Sequence, residues 1–188
     1  MTKNELNLDK LFPEIQLIKN EIYIKKIKAI WKDLWEMTTW NDIYQVPVRP
    51  YINYPHITHH QAVMKIALSI ADIFEQIHRI KVNKDILITA GLLIDVSKLV
   101  EYQPTDNGKI ELSKLGKMYP HAFMGAHFAL KHGIDHQICE IILNHTPDST
   151  RFPESLEGKI LYYADQLDVI SFYKDRWHKE TKVYLKHN

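Results

Sequence analysis

Only one cysteine, Cys139, occurs in 188 residues. An internal disulfide framework is therefore excluded, and such usage suits a reducing compartment. No apolar run approaches the roughly 20 residues that span a bilayer. The opening Met-Thr-Lys-Asn-Glu-Leu-Asn lacks the apolar stretch of a signal peptide. The expectation is a soluble cytoplasmic protein with no membrane contact. Excess charge of either sign is missing too. Lys and Arg number 24 against 23 Asp and Glu, a formal net charge of +1, so no field selects nucleic acid or an anionic surface. Internal repeats, low-complexity tracts and alternating strand patterns of useful length are also absent. What remains is ordinary globular composition, 45% hydrophobic and 25% charged, at a length that fits one domain with a proper core. The eleven histidines stand out, because neutral imidazole is the commonest metal ligand.

Helical periodicity dominates the chain. Residues 1–19 read as a short helical or irregular arm. Ile22, Ile24, Ile27, Ile30, Trp31, Leu34 and Trp35 mark an amphipathic helix over 20–38. Pro47, Pro50 and Pro55 make 39–58 a long loop. Thr58 and Gln61 match a capping box, followed by a stripe of Val63, Ile66, Ile70, Phe74 and Ile77. A buried central helix is expected over 84–101, ended by the turn residues 103–108. A short amphipathic segment over 109–118 and a helix after Pro120 follow. Gly133 is expected as its C-terminal cap and Asp135 as the next N-cap. Pro147 stops that helix, and 148–153 form a loop. A last long helix starts near Leu156, and 170–188 continue as a charged, aromatic helical tail. The architecture is all-α, with residues 1–55 as an N-terminal helical extension and Pro/aromatic loop packed on a helical domain over 56–188.

Five polar groups fall on or beside apolar stripes, each in a different helix. They are His59, Asp95, His121, His145 and Asp165. Asp95 is the centre of the pattern, since it interrupts the apolar run Thr89–Val100, and a buried carboxylate needs a partner or a metal. Each unpaired group would cost on the order of 1–3 kcal/mol. One shared metal site removes that cost for all five, and mixed His and carboxylate donors suit Fe, Mn, Zn or Co. The residues alone leave open a scattered set of satisfied core side chains.

The order His59, Asp95 with Lys98 three later, His121, His145, Asp165 resembles the HD-domain superfamily of metal-dependent phosphohydrolases. Leu92-Leu93-Ile94-Asp95-Val96-Ser97-Lys98 is similar to that family's Leu-Leu-His-Asp-x-x-Lys. His121-Ala-Phe-Met-Gly125-Ala126 resembles the His-x-x-x-Gly-Ala helix of bacterial symmetric diadenosine-tetraphosphate hydrolases. Ile142-Leu-Asn-His145-Thr146 and Lys159-Ile-Leu-Tyr-Tyr-Ala164-Asp165 continue the likeness, which covers residues 56 to about 170. One position departs from it: where the family has the His of its His-Asp pair, this chain has Ile94.

The resemblance implies an HD-like helical bundle holding one or two divalent ions (Fe, Mn or Zn). Carried over by residue, one ion takes His59, Asp95 and Asp165 and lacks an imidazole at Ile94, a gap for water, His56 or His60. The other takes Asp95, His121 and His145. The implied reaction is hydrolysis of a phosphate ester or anhydride of a nucleotide or other small molecule by metal-activated water. Lys98 would stabilise charge and bind substrate, and Asp165, if it no longer serves a filled first site, would orient or deprotonate the water. Arg49, in the aromatic loop with Trp40, Tyr44, Tyr51 and Tyr54, is a substrate-binding candidate, and core packing is the other reading of that loop. Two further classes stay open: a non-catalytic metabolite- or nucleotide-binding protein, and an HD-type oxygenase or hydratase. The oligomeric state is open, a homo-oligomer included.

Overall fold

The computed structural model describes residues 3–173. The expected helical tail lies outside the described residues beyond Tyr173. A short helix α1 (Leu8–Leu11) is closed by Asn7, whose side chain accepts from the Lys10 amide. A 3-10 turn over Pro13–Leu17 follows. Helix α2 (Glu21–Met37) starts at Asn20, a residue type whose short carbonyl satisfies a first-turn amide. Its inner face buries Ile27, Ile30, Trp31, Leu34 and Trp35. Ile22, placed on that stripe by spacing, is exposed.

Helix α3 (His56–Gln76) begins two residues before Thr58. The expected capping box is therefore not formed. Pro55 stands at the N-cap, where its fixed φ ends the loop, and the His56 amide donates to the Val46 carbonyl at 2.8 Å. Gln61 instead donates across the fold to the Leu11 carbonyl at 2.8 Å.

The central helix expected over 84–101 is broken. Helix α4 (Lys84–Gly91) ends at Gly91, and α5 (Lys98–Glu101) begins seven positions later. Between them 92–97 form successive tight turns, with Leu93 N bonded to Ala90 O and Val96 N to Leu93 O. Every residue from Leu87 to Glu101 is buried, so carbonyls freed by the break need partners within the protein. The Trp31 indole donates to the Leu92 carbonyl at 2.8 Å. The break swings Asp95 out of a helical register.

The segment after α5 departs from helical structure. Strands β1 (Tyr102–Pro104) and β2 (Ile110–Leu112) pair antiparallel, with Tyr102 opposite Leu112. Gly108 takes φ +74 in the turn between them, a region that favours glycine. Three-residue strands are too short to show alternation. Ser113 then caps α6 (Lys114–Met118) by accepting from the Gly116 amide at 3.0 Å.

Helices α7 (His121–Lys131) and α8 (His136–Asn144) form a hairpin. Gly133, at φ +71, makes the left-handed turn after α7, as its position suggests. Asp135 occupies the N-cap position of α8, but its carboxylate makes no capping bond and pairs with the Tyr23 hydroxyl. A Cβ on Gly125 would stand 3.0 Å from Ile142 Cγ2, so glycine there lets the two helices approach closely. Helix α9 (Leu156–Tyr173) packs along α3. Residues from α1 and α2 share one apolar core with α3, α4, α7, α8 and α9. No helix among the described residues is long and apolar enough to cross a membrane.

Candidate metal centre

Five elements meet around one point. Helix α3 brings His59 in its first turn, the 92–97 turn brings Asp95, and α7 opens with His121. His145 stands directly after α8, where Pro147 prevents continuation. Helix α9 adds Asp165. All five residues picked from the sequence are brought together.

Asp95 is the hub. Its Oδ2 lies 3.3 Å from His59 Nε2. Its Oδ1 lies 3.5 Å from His121 Nε2 and 3.6 Å from His145 Nε2. Asp165 Oδ1 approaches His59 Nε2 to 3.0 Å. Two groups of donors able to hold an ion result, His59–Asp95–Asp165 and Asp95–His121–His145. Within each, the donor atoms lie within 4.8 Å of one another. Asp95, common to both, is 4% exposed, and His145 is 1% exposed. Carboxylates so deeply withdrawn from water need a cation or donor beside them.

The electrostatics express that need. Burial alone would push Asp95 up, but hydrogen bonds from His145 and His59 and charge from His145 and His121 outweigh it and hold the carboxyl well below its ordinary range. Burial would likewise discharge His59, yet hydrogen bonds to Asp165, Asp168 and Asp95 keep its pKa well above the ordinary value. His145 is raised for the same reason, with burial outweighed by Asp95. His121 is pushed well down, by burial and by the Lys98 ammonium. Its free ring nitrogen is therefore available as a ligand. The His145 Nδ1–H donates to the Ile142 carbonyl at 2.6 Å, which turns Nε2, the nitrogen a cation would take, toward Asp95.

Donor set, burial and tautomer fit a divalent cation with mixed nitrogen and oxygen ligands. The space over the donors is a cavity of about 70 Å³, walled also by Arg49, Lys98 and Gln166. Lys98 is not a surface lysine. It is buried and pairs with Glu101 Oε2 at 2.7 Å. Arg49 comes from the loop between α2 and α3 and faces the same cavity. That loop is mixed in character: Trp40 is buried and donates to the Tyr102 carbonyl at 3.0 Å, while Tyr44 and Tyr51 are exposed.

Neither His56 nor His60 belongs to either donor group. His60 Nε2 bonds the Gly91 carbonyl at 2.6 Å, and His56 packs against Trp31. Burial depresses both rings, His60 to about 4. Ile94 lies in the apolar core at 1% exposure. Two contacts escaped the sequence reading. Asp168 Oδ2 lies 2.6 Å from His59 Nδ1, and Glu101 Oε1 lies 3.8 Å from His121 Nδ1. The first was within reach of spacing, since Asp168 follows Asp165 by three on one helix. The second depended on the helix break.

Residues 57–170 match the HD domain. The chain therefore belongs to the HD-domain family, whose members bind divalent metals. Over 113 residues it is 30% identical to the dihydroneopterin 2′,3′-cyclic phosphate phosphodiesterase of Methanocaldococcus jannaschii. The matched stretch is 60% of this chain and 45% of that protein, so the chain spans about half the length of that relative. No solved structure matches the chain significantly.

Proposed function

We propose that this chain is a metal-dependent hydrolase acting on a phosphate ester or anhydride of a nucleotide or other small molecule. The observation that carries the reading is the shared carboxylate: one oxygen of Asp95 faces His59, the other faces His121 and His145. Membership of the HD-domain family and likeness to a cyclic phosphate phosphodiesterase support it. The motif likeness to symmetric diadenosine-tetraphosphate hydrolases makes nucleotides the substrates to try first.

In this reading Asp95, His121 and His145 hold one divalent cation, and His59, Asp95 and Asp165 hold a second, weaker one. The bound cation supplies Lewis-acid chemistry, lowering the pKa of water toward about 7 and neutralising phosphoryl oxygens. Where that second position is empty, Asp165 instead orients or deprotonates the attacking water. Lys98 and Arg49 place positive charge in the wall of the same cavity, where a phosphoryl group gains charge. Glu101 holds the Lys98 ammonium against the cavity wall. The wall is mostly polar and small, which suits a phosphate more than an aromatic ring.

Metal analysis tests the proposal. Purified protein is expected to contain Fe, Mn or Zn, and His121→Ala or His145→Ala should lose it. Loaded protein should hydrolyse bis(p-nitrophenyl) phosphate, a 2′,3′-cyclic nucleotide or diadenosine tetraphosphate. Arg49→Ala should raise KM for the substrate found. Metal near zero both after native purification and after reconstitution sinks the proposal. Bound metal with no turnover across the panel selects the second reading, a metabolite-binding HD protein. The apolar side chain at position 94 is what favours that alternative.

A further inference from the structure

Asp168 belongs to neither donor group, yet it grips one of the donors. Its Oδ2 stands 2.6 Å from His59 Nδ1, and both side chains are buried. The other oxygen, Oδ1, accepts from the Tyr54 hydroxyl and the Ser171 hydroxyl, each at 3.4 Å. The carboxylate is thus clamped between α3, α9 and the loop before α3. A carboxylate at 5% exposure is costly to bury unless donors such as these surround it. Its geometry has a chemical consequence. With Nδ1–H held by Asp168, the proton that a cation displaces is the one on Nε2, and the lone pair is then left on the atom facing Asp165 and Asp95.

Resting on the metal-site reading above, we infer that Asp168 is a positioning residue for the metal. It fixes the tautomer and ring plane of His59 and makes that imidazole a stronger donor. The effect matters more here than in the other group. His59 is the only imidazole among His59, Asp95 and Asp165, whereas Asp95 is joined by both His121 and His145. Tyr54 ties this positioning to the loop that carries Arg49, which also lines the cavity.

Titration of the protein with Mn²⁺ alone provides the test, read by calorimetry. Wild type is expected to show a tighter and a weaker event. Asp168→Asn should weaken one event by about 10–100-fold, the usual loss when a ligand's carboxylate partner is removed. The other event should stay within a few-fold of wild type. Equal affinities in wild type and Asp168→Asn overturn the inference while leaving the metal site standing. No Mn²⁺ binding by wild type overturns both. A second measurement does not depend on the variant folding. In Zn²⁺-loaded wild type, nitrogen shifts of the His59 ring should show a protonated Nδ1 and a metal-bound Nε2. The opposite tautomer contradicts the assignment.

Discussion

The indole of Trp31 donates to the Leu92 carbonyl at 2.8 Å across 61 positions of sequence. That bond sits where α4 stops, three residues before Asp95. Two neighbours repeat the device. The Thr38 hydroxyl donates to the Leu99 carbonyl, and Trp40 to Tyr102. Helix α2 and the residues after it therefore satisfy the backbone of the broken segment that carries the central carboxylate.

Removing that support should destabilise the fold. Trp31→Phe keeps an apolar ring but leaves a buried carbonyl without its donor, a loss of about 1–3 kcal/mol. Chemical denaturation, comparing midpoints at constant slope, measures it. A change under a few tenths would show that the helix break stands without the indole.

Position 94 offers a second test. Ile94 is enclosed by apolar neighbours, so Ile94→His buries an imidazole there. If the chain is a working enzyme with an adapted site, the substitution should not raise turnover of its own substrate. Stability should fall by about 1–3 kcal/mol for the added unsatisfied polar group. A gain in both metal content and activity would mean instead that a lost ligand had been restored to a decayed site.

Metal uptake should depend on pH with a definite sign. Carboxylates outweigh burial at His59 and His145 and raise both rings above their ordinary pKa. The metal-free rings therefore keep protons that a cation must displace, and displacement is harder as pH falls. Affinity for Mn²⁺ should drop from mildly alkaline to mildly acidic solution. Calorimetry in two buffers of different ionisation enthalpy should also detect released protons. An affinity independent of pH would exclude these imidazoles as ligands.

The lone thiol should be sluggish. Burial and the neighbouring Asp135 push Cys139 up to about 11, against about 8.5 for a free thiol. At neutral pH the thiolate is scarce, so reaction with a disulfide reagent should be on the order of a hundredfold slower than in the unfolded chain. Equal rates in the two states would place Cys139 in contact with solvent.

How much of this was legible in the sequence follows from what each signal measures. Helical spacing reports which side a residue faces, and it sufficed for α2, α7, α8 and the inward direction of His59, His121, His145 and Asp165. It failed at 84–101, because a run apolar on every side has the same pattern whether or not its helix breaks. It failed at Thr58, where a capping motif lost to the fixed φ of Pro55 and a bond from the His56 amide to Val46. The short hairpin at 102–112 was missed because three residues per strand carry no periodicity.

By itself, then, the order of residues determined the helical class, the five polar groups that must turn inward, and the apolar residue beside Asp95. Only the tertiary structure decided that Asp95 is shared by two donor groups, that Asp168 holds His59, and that Lys98 is buried against Glu101. The reason is physical: facing inward is a local property of a helix. Which inward atoms come within ligand distance depends on how separate helices cross, and that is fixed by the packing of the whole core.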